Sequence, residues 1–452
     1  MNSNQPHVLC VNPWIHDFAA FDFWAKPLGL LQIAALLRKY EINVSFIDCV
    51  DRFHPGQLKK GEPKLLPDGR GPYRKTVIDL PCVFDGKEVL KTYSRYGIDP
   101  DWFIQDLKTL KNNGGPDLIF VTSLMTYWAY GVKETISIIK EIFPETPLVL
   151  GGIYASLCTD HAKKHSQADL IVSGSGFKDL NRIIKQYTQF DMGFDCHDND
   201  FKFFENLPYP AYDMLSKITY IPLLTSMGCP FNCDYCASSY LVPKFFQRSP
   251  ESVFKEIEYW YYKYKIKNFV FYDDALLING EDHAFVLFEK IINSGMQPFF
   301  HTPNALHIRE ISKKAAKLMY DAGFKTIRLG LETADFNNRS FDKKVKEIEF
   351  YCAIDNLKKA GFKKSDMGAY LLCGLPGQSF SEVEDSFLKV KKCGINPTLA
   401  YYTPIPHTKM WEKAKQNSKY DLELDPVFSN NTLFPCSFDK NMTKQIARIK
   451  NL

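Results

Sequence analysis

Apolar positions recur along the chain in two alternating rhythms. Short, nearly continuous apolar runs at 7–11 (HVLCV), 43–48 (NVSFID), 117–122 (DLIFVT), 147–152 (PLVLGG) and 168–174 (ADLIVSG) read as strands covered on both faces. Between them, 28–40, 131–142 and 155–165 carry apolar residues at helical spacing. Strands alternating with helices predict a parallel, doubly wound α/β domain over 1–185. Residues 49–100, rich in Pro, Gly and Lys, read as an irregular insertion in it: a solvated excursion, or part of a ligand site at a strand's carboxyl end.

A connector over 186–216 leads to a second series. Six runs at 220–226, 268–274, 298–304, 326–332, 367–374 and 397–406 read as strands, with helical patterns at 250–264, 310–322 and 348–360. Six β/α units in tandem predict a partial parallel barrel over 217–420, with function at the carboxyl ends of its strands. Residues 421–452 form a short C-terminal extension.

Composition changes this picture little. Of 452 residues 45% are apolar and 24% charged, as in globular proteins generally. A net charge of +4 leaves no electrostatic footprint of a nucleic-acid binder. The N-terminus lacks the basic and apolar regions of a secretory signal, and no apolar run reaches the length of about 18 residues that suits a membrane span, so a cytoplasmic protein is expected. Most of the twelve cysteines are scattered in apolar contexts, as at Cys10 and Cys373, and read as buried thiols.

Three cysteines are clustered. TSMGCPFNCDYCASS places Cys229, Cys233 and Cys236 at C-x3-C-x2-C spacing directly after the first strand of the second series, with Gly228 and Pro230 marking a loop. A structural zinc site takes four ligands, and no fourth Cys or His lies nearby. An electron-transfer [4Fe–4S] centre also takes four. Three thiolates favour a cluster with one iron left open, over zinc or coincidence.

At this point the chain resembles the radical S-adenosylmethionine (SAM) superfamily, whose C-x3-C-x2-C loop occupies this place in a partial (β/α)6 barrel. The resemblance implies an oxygen-sensitive [4Fe–4S] cluster on Cys229, Cys233 and Cys236, with SAM chelating the open iron and cleaved to methionine and a 5′-deoxyadenosyl radical. It also implies an electron donor such as ferredoxin or flavodoxin. Tyr235 matches an aromatic position near the adenine; plain packing is the rival reading. Asp273 and Asp274 end the second strand, where the family holds the SAM amino end; they lack the common GGE form and could simply cap a helix. Glu332 ends the fourth strand, where relatives contact the SAM ribose or methionine, and Arg328 is its candidate partner. Gly374, in LLCGLPGQS, matches a segment passing close to adenine, and TPIPHT (403–408) resembles the sixth-strand segment of the same subgroup.

The domain order resembles the cobalamin-binding subgroup, through KPLGLLQIAALLRKY (26–40), TSLMT (122–126), LGGIYASLC (150–158) and GSG (174–176). The implied fold is a flavodoxin-like, cobalamin-binding domain before a TIM-like radical SAM barrel. Ser123, Thr126, Gly151, Gly152 and Gly174 are the candidate cobalamin contacts, small enough to let backbone approach a large flat ligand. The D-x-H-x-x-G motif that supplies an axial His is absent: Asp51 and His54 have the wrong spacing. GSGF, where relatives often show G-E-G-E, also departs from the pattern.

The expected function is a cobalamin-dependent radical SAM enzyme acting on an unactivated carbon of a small-molecule or other substrate that the sequence does not identify. By resemblance the expected chemistry is methyl transfer, SAM serving as both radical source and methyl donor. The alternatives are a radical SAM oxidoreductase or sulfur-inserting enzyme without cobalamin, and a non-catalytic iron–sulfur or corrinoid sensor.

Overall fold

The structure is a computed structural model and describes residues 5–194, 196, 201–437 and 441–450. The chain forms two compact units, Met1–Thr219 with Asp425–Val427 and Tyr220–Leu424 with Phe428–Leu452. The expected start of the second domain, 217, lies just before Tyr220. The parts of the expected connector at 195 and 197–200, and of the C-terminal extension at 438–440 and 451–452, lie outside the described residues. Among the described residues no helix is long and apolar enough to cross a membrane.

In the first unit the strands are β1 (His7–Asn12), β2 (Ile15–Asp17), β3 (Asn43–Asp48), β4 (Lys75–Val77), β5 (Ser94–Tyr96), β6 (Leu118–Val121), β7 (Leu148–Leu150) and β8 (Leu170–Ile171). Five of them form a parallel sheet in the order β3-β1-β6-β7-β8. Ranked along the chain this is 2-1-3-4-5, a doubly wound order that reverses beside β1. The continuous apolar run of β1 follows from its central place. Val8 and Cys10 pack with helices Leu28–Lys39 and Phe177–Thr188, while Leu9 and Val11 pack with Pro100–Asn112 and Ala129–Ile142.

Two expectations change here. The insertion over 49–100 is partly regular, since β5 pairs antiparallel with both β2 and β4 in a three-stranded sheet of order β2-β5-β4. The helix expected at 155–165 is two helices, Ile153–Leu157 and Thr159–His165, separated at Cys158, whose ψ of 46° leaves helical geometry.

The second unit contains β9 (Ile221–Leu223), β10 (Ser226–Met227), β11 (Phe246–Gln247), β12 (Asn268–Phe271), β13 (Phe299–His301), β14 (Phe324–Glu332), β15 (Met367–Cys373) and β16 (Asn396–Tyr401). β9 and β12 to β16 form one parallel sheet in chain order. Phe271, Phe300 and Phe324, on neighbouring strands, stack at centroid distances of 5.2 to 5.7 Å and fill the interior. Crossover helices start where the chain supplies a cap: Ser249 before Pro250–Tyr264, Ser312 before Lys313–Ala322, and Ser379 with Glu382 before Phe380–Lys392. The strand expected over 220–226 is interrupted. β9 ends at Leu223, and β10 turns to pair antiparallel with β11, bracketing the cysteine segment.

Candidate active site

Gly228 opens the cysteine loop at φ 77°, and a Cβ there would lie 2.8 Å from the Lys244 carbonyl oxygen, so only glycine fits. Downstream, the loop is fastened by Asp234 N–H to the Phe341 carbonyl (3.0 Å) and by Met410 N–H to the Asp234 carbonyl (2.9 Å). Cys229, Cys233 and Cys236 are free thiols; Cys233 is buried and the other two are half-buried. Burial pushes the Cys229 thiol up, and Cys233 to about 11 although the Lys344 charge opposes it. These thiols therefore stay protonated near neutral pH until a metal displaces the protons.

Each thiol has a polar neighbour. Cys229 Sγ lies 3.7 Å from His307 Nε2, and the His307 ring packs on Phe231 at 4.3 Å. Burial, with the charges of Lys344 and Arg309, lowers the His307 imidazole to about 4, so it is neutral. Tyr235, two residues on, opposes the upward pull of burial on the Cys233 thiol. Cys236 Sγ is 3.2 Å from Ser238 Oγ, which donates to Asp274 Oδ2 at 2.8 Å.

The two aspartates differ in task. Asp274 is exposed beside the loop. Asp273 is buried and accepts from Thr225 N–H (3.0 Å), Thr225 Oγ1 (2.7 Å), Ser226 N–H (2.6 Å) and Ser226 Oγ (2.6 Å). The Asp273 carboxylate, expected at the SAM amino end, anchors the entry to the cysteine loop through these four donors, all on Oδ1.

Glu332 ends β14 with a left-handed backbone, φ 61°, where the register with β15 slips between Gly330 and Glu332. That backbone costs a non-glycine residue about 1 kcal/mol or more, and such bulges re-aim side chains. Its carboxylate is buried beside the cysteine loop, with Oε1 accepting from Lys344 Nζ (2.7 Å) and Tyr235 OH (3.0 Å). Burial works against the Lys344 ammonium, but the Glu332 charge and hydrogen bond carry it above its ordinary value. Arg328, the expected partner of Glu332, donates instead to the Ile327 carbonyl at 3.0 Å. Tyr235 sets its ring edge-on against Phe341. Gly374 is a left-handed turn, φ 88°, closed by its N–H donating to Gln378 Oε1 at 2.9 Å.

In the first unit the candidate loops meet at the carboxyl ends of β6, β7 and β8. Ser123 Oγ donates to the Gly151 carbonyl (2.7 Å), and Ser156 Oγ accepts from Gly174 N–H (2.9 Å). A Cβ at Gly152, φ 94°, would lie 2.3 Å from the Ser123 carbonyl oxygen. Ser123, an expected ligand contact, is buried and its hydroxyl ties loop to loop; Thr126 is buried too. Gly151 and Gly174 leave open backbone, a Cβ on either meeting nothing closer than 3.8 Å. Met125 and Ile153 are exposed at 39% and 37% on the same loops. His54 is engaged elsewhere, with Nδ1 capping Gly56 N–H and Nε2 3.1 Å from Asp106.

Residues missed by sequence reasoning are His307, Lys344, Ser238 and Ser156. Only Ser238 and Ser156 sit within motifs already singled out; nothing local to His307 or Lys344 marks them.

Among the described residues no three His, Cys, Asp or Glu side chains are grouped for a single metal ion. A [4Fe–4S] cluster makes a different demand, each thiol binding its own iron. Three free thiols on a loop only glycine can open, each with a polar neighbour, fit that group. The buried Glu332 Oε2, which no hydrogen-bond donor reaches, fits a SAM donor beside it.

Residues 223–390 match the model of the Radical SAM superfamily. The chain is 26% identical to an uncharacterized methyltransferase of Pyrococcus horikoshii, over 71% of this chain and 74% of that protein. It is 24% identical to the anaerobic magnesium-protoporphyrin IX monomethyl ester cyclase of Cereibacter sphaeroides, over 66% of this chain but only 53% of that relative. The radical SAM methyltransferase TsrM from Kitasatospora setae, solved with cobalamin and a [4Fe–4S] cluster bound, shares its fold: TM-score 0.65 at 14% identity, over 92% of this chain and 76% of that one.

The fold and the cysteine site thus define a radical SAM enzyme, whose family cofactors are a [4Fe–4S] cluster and SAM. The radical SAM match covers residues 223–390, and the doubly wound unit lies ahead of them in the chain.

Proposed function

We propose that this is a cobalamin-dependent radical SAM methyltransferase acting on an unactivated carbon. The observation that carries the reading is the pairing of two sites in one chain: a three-thiol loop beside Glu332, and a glycine-lined ledge at the carboxyl end of a 2-1-3-4-5 sheet. Cobalamin bound on that ledge would supply the methyl-carrying chemistry, with SAM as radical source and methyl donor. Gly151 and Gly174 would admit the flat ligand to their backbone, Met125 and Ile153 would give it apolar contact, and His54 would not ligate cobalt. In the second unit Cys229, Cys233 and Cys236 would hold the cluster, and Glu332, Gly374 and Asp274 would line the SAM site. Relatives named as methyltransferases, among them the cytidylyl-2-hydroxyethylphosphonate methyltransferase of Streptomyces wedmorensis at 20% identity, favour methyl transfer over the cyclisation of other relatives. A cytoplasmic location and a ferredoxin or flavodoxin reductant belong to the same reading.

The test is anaerobic reconstitution with iron, sulfide and hydroxocobalamin. A retained corrin spectrum, with both 5′-deoxyadenosine and S-adenosylhomocysteine formed from SAM, supports the proposal. A colourless first unit with 5′-deoxyadenosine alone points instead to an enzyme without cobalamin.

A further inference from the structure

Glu332 is held from one side only. Oε1 takes two donors, Lys344 Nζ at 2.7 Å and Tyr235 OH at 3.0 Å, and Lys344 Nζ also reaches Tyr235 OH at 3.0 Å, closing a ring of three contacts. Oε2 has no hydrogen-bond partner, and its ion-pair neighbour, Arg339, stands off at 3.9 Å. The residue is only 7% exposed. A buried carboxylate oxygen without a donor is unfavourable unless something else supplies one.

Lys344 is itself fixed. Its backbone N–H donates to Asp342 Oδ1 at 3.2 Å, its carbonyl accepts from Arg309 Nε at 2.8 Å, and Arg339 grips Asp342 through Nε (2.6 Å) and Nη2 (3.0 Å). The ammonium is thus carried into the interior by a braced segment. Arg339 cannot turn fully to Glu332, because two of its nitrogens are engaged by Asp342 and a third donates to the Leu331 carbonyl at 2.8 Å.

We propose that Lys344 is a positioning residue for SAM, occupying Glu332 Oε1 so that Oε2 alone is presented to a donor group of the cofactor. The inference rests on the reading of this unit as a SAM site and adds to it the residue that orients the carboxylate. Lys344 acts through Glu332 and makes no contact with SAM itself. Removing its donor frees the carboxylate to rotate towards Arg339 and turns Oε2 away.

The experiment uses the full chain, reconstituted anaerobically, and measures iron per chain, the SAM dissociation constant, and the change that SAM produces in the electron paramagnetic resonance spectrum of the reduced cluster. Lys344→Met should load iron like the wild type, bind SAM about tenfold or more weakly, and give a smaller spectral change. Glu332→Gln should also weaken SAM, and adding Lys344→Met to it should weaken binding no further. Unchanged SAM affinity in Lys344→Met, or an equal further loss in the double variant, overturns the proposal. If Lys344→Met does not load iron, Lys344→Gln is measured against the same two outcomes. A wild-type protein that holds iron yet ignores SAM overturns the underlying reading instead.

Discussion

Ser226 donates to Asp273 Oδ1 twice, through its backbone N–H and its hydroxyl, both at 2.6 Å. Burial raises the Asp273 carboxyl and the hydrogen bonds of Ser226 and Thr225 oppose that rise, so the residue ties the end of β9 to β12 through short bonds in a dry environment. Asp273→Ala would leave those donors buried and unsatisfied, at a loss on the order of 3 kcal/mol or more. Chemical denaturation should show the lower stability, and iron per chain should fall with it. Asp273→Asn, which keeps one oxygen acceptor, should do markedly less harm to both.

Cys233 and Cys10 are both buried thiols with very different consequences. Cys233→Ala should abolish the visible absorption of the reconstituted cluster and all 5′-deoxyadenosine formation. Cys10 sits at the centre of the first unit's sheet, its thiol pushed up to about 12 by burial. Cys10→Ala should lower stability by about 1 kcal/mol and leave iron content and SAM cleavage intact.

His307 stands 3.7 Å from the Cys229 sulfur. Hydrogen bonds to cluster sulfurs stabilise the reduced, more negative state. His307→Leu should therefore keep the iron but shift the cluster's midpoint potential to more negative values in a redox titration.

Asp48 supplies a pH test in the first unit. Burial pushes its carboxyl up to about 6, while its Oδ1 accepts from Asn12 Nδ2 at 2.7 Å and Val50 N–H at 3.1 Å. Below 3.8, its ordinary value, folded and unfolded chains both hold the proton. Between there and about 6 the unfolded chain releases it first, so stability falls as pH rises, and above that the deficit is complete. Asp48→Asn keeps the Oδ1 acceptor and should stabilise the unit at about pH 8 by on the order of 2–3 kcal/mol, a gain that vanishes near about pH 3.5.

Gly152 is a local test of the corrin reading. A side chain there is opposed both by φ 94° and by the Ser123 carbonyl oxygen. Gly152→Ala should shift the loops that end β6 and β7 and reduce retained corrin absorption, with the iron content of the second unit unchanged.

What the sequence determined by itself is what short stretches of chain encode. The cysteine spacing, the glycine before it, and the strands from β1 to β16 that carry continuous apolar runs depend on residues a few positions apart, and β3 appears at its expected limits, Asn43–Asp48. Three-residue strands such as β2, β4 and β5 are too short to show a period, so the antiparallel sheet that joins β2 to the insertion stayed hidden. Tertiary structure alone decided which charge meets which. Arg328 shares a strand with Glu332, yet a register slip and a left-handed backbone turn that carboxylate to Lys344 on the following segment. His307 reaches Cys229 across 78 positions, because parallel strands bring their carboxyl ends to one rim. Periodicity reports which face of an element is buried. Only the closed fold fixes the burial, and so the cost, that makes each polar group find one partner.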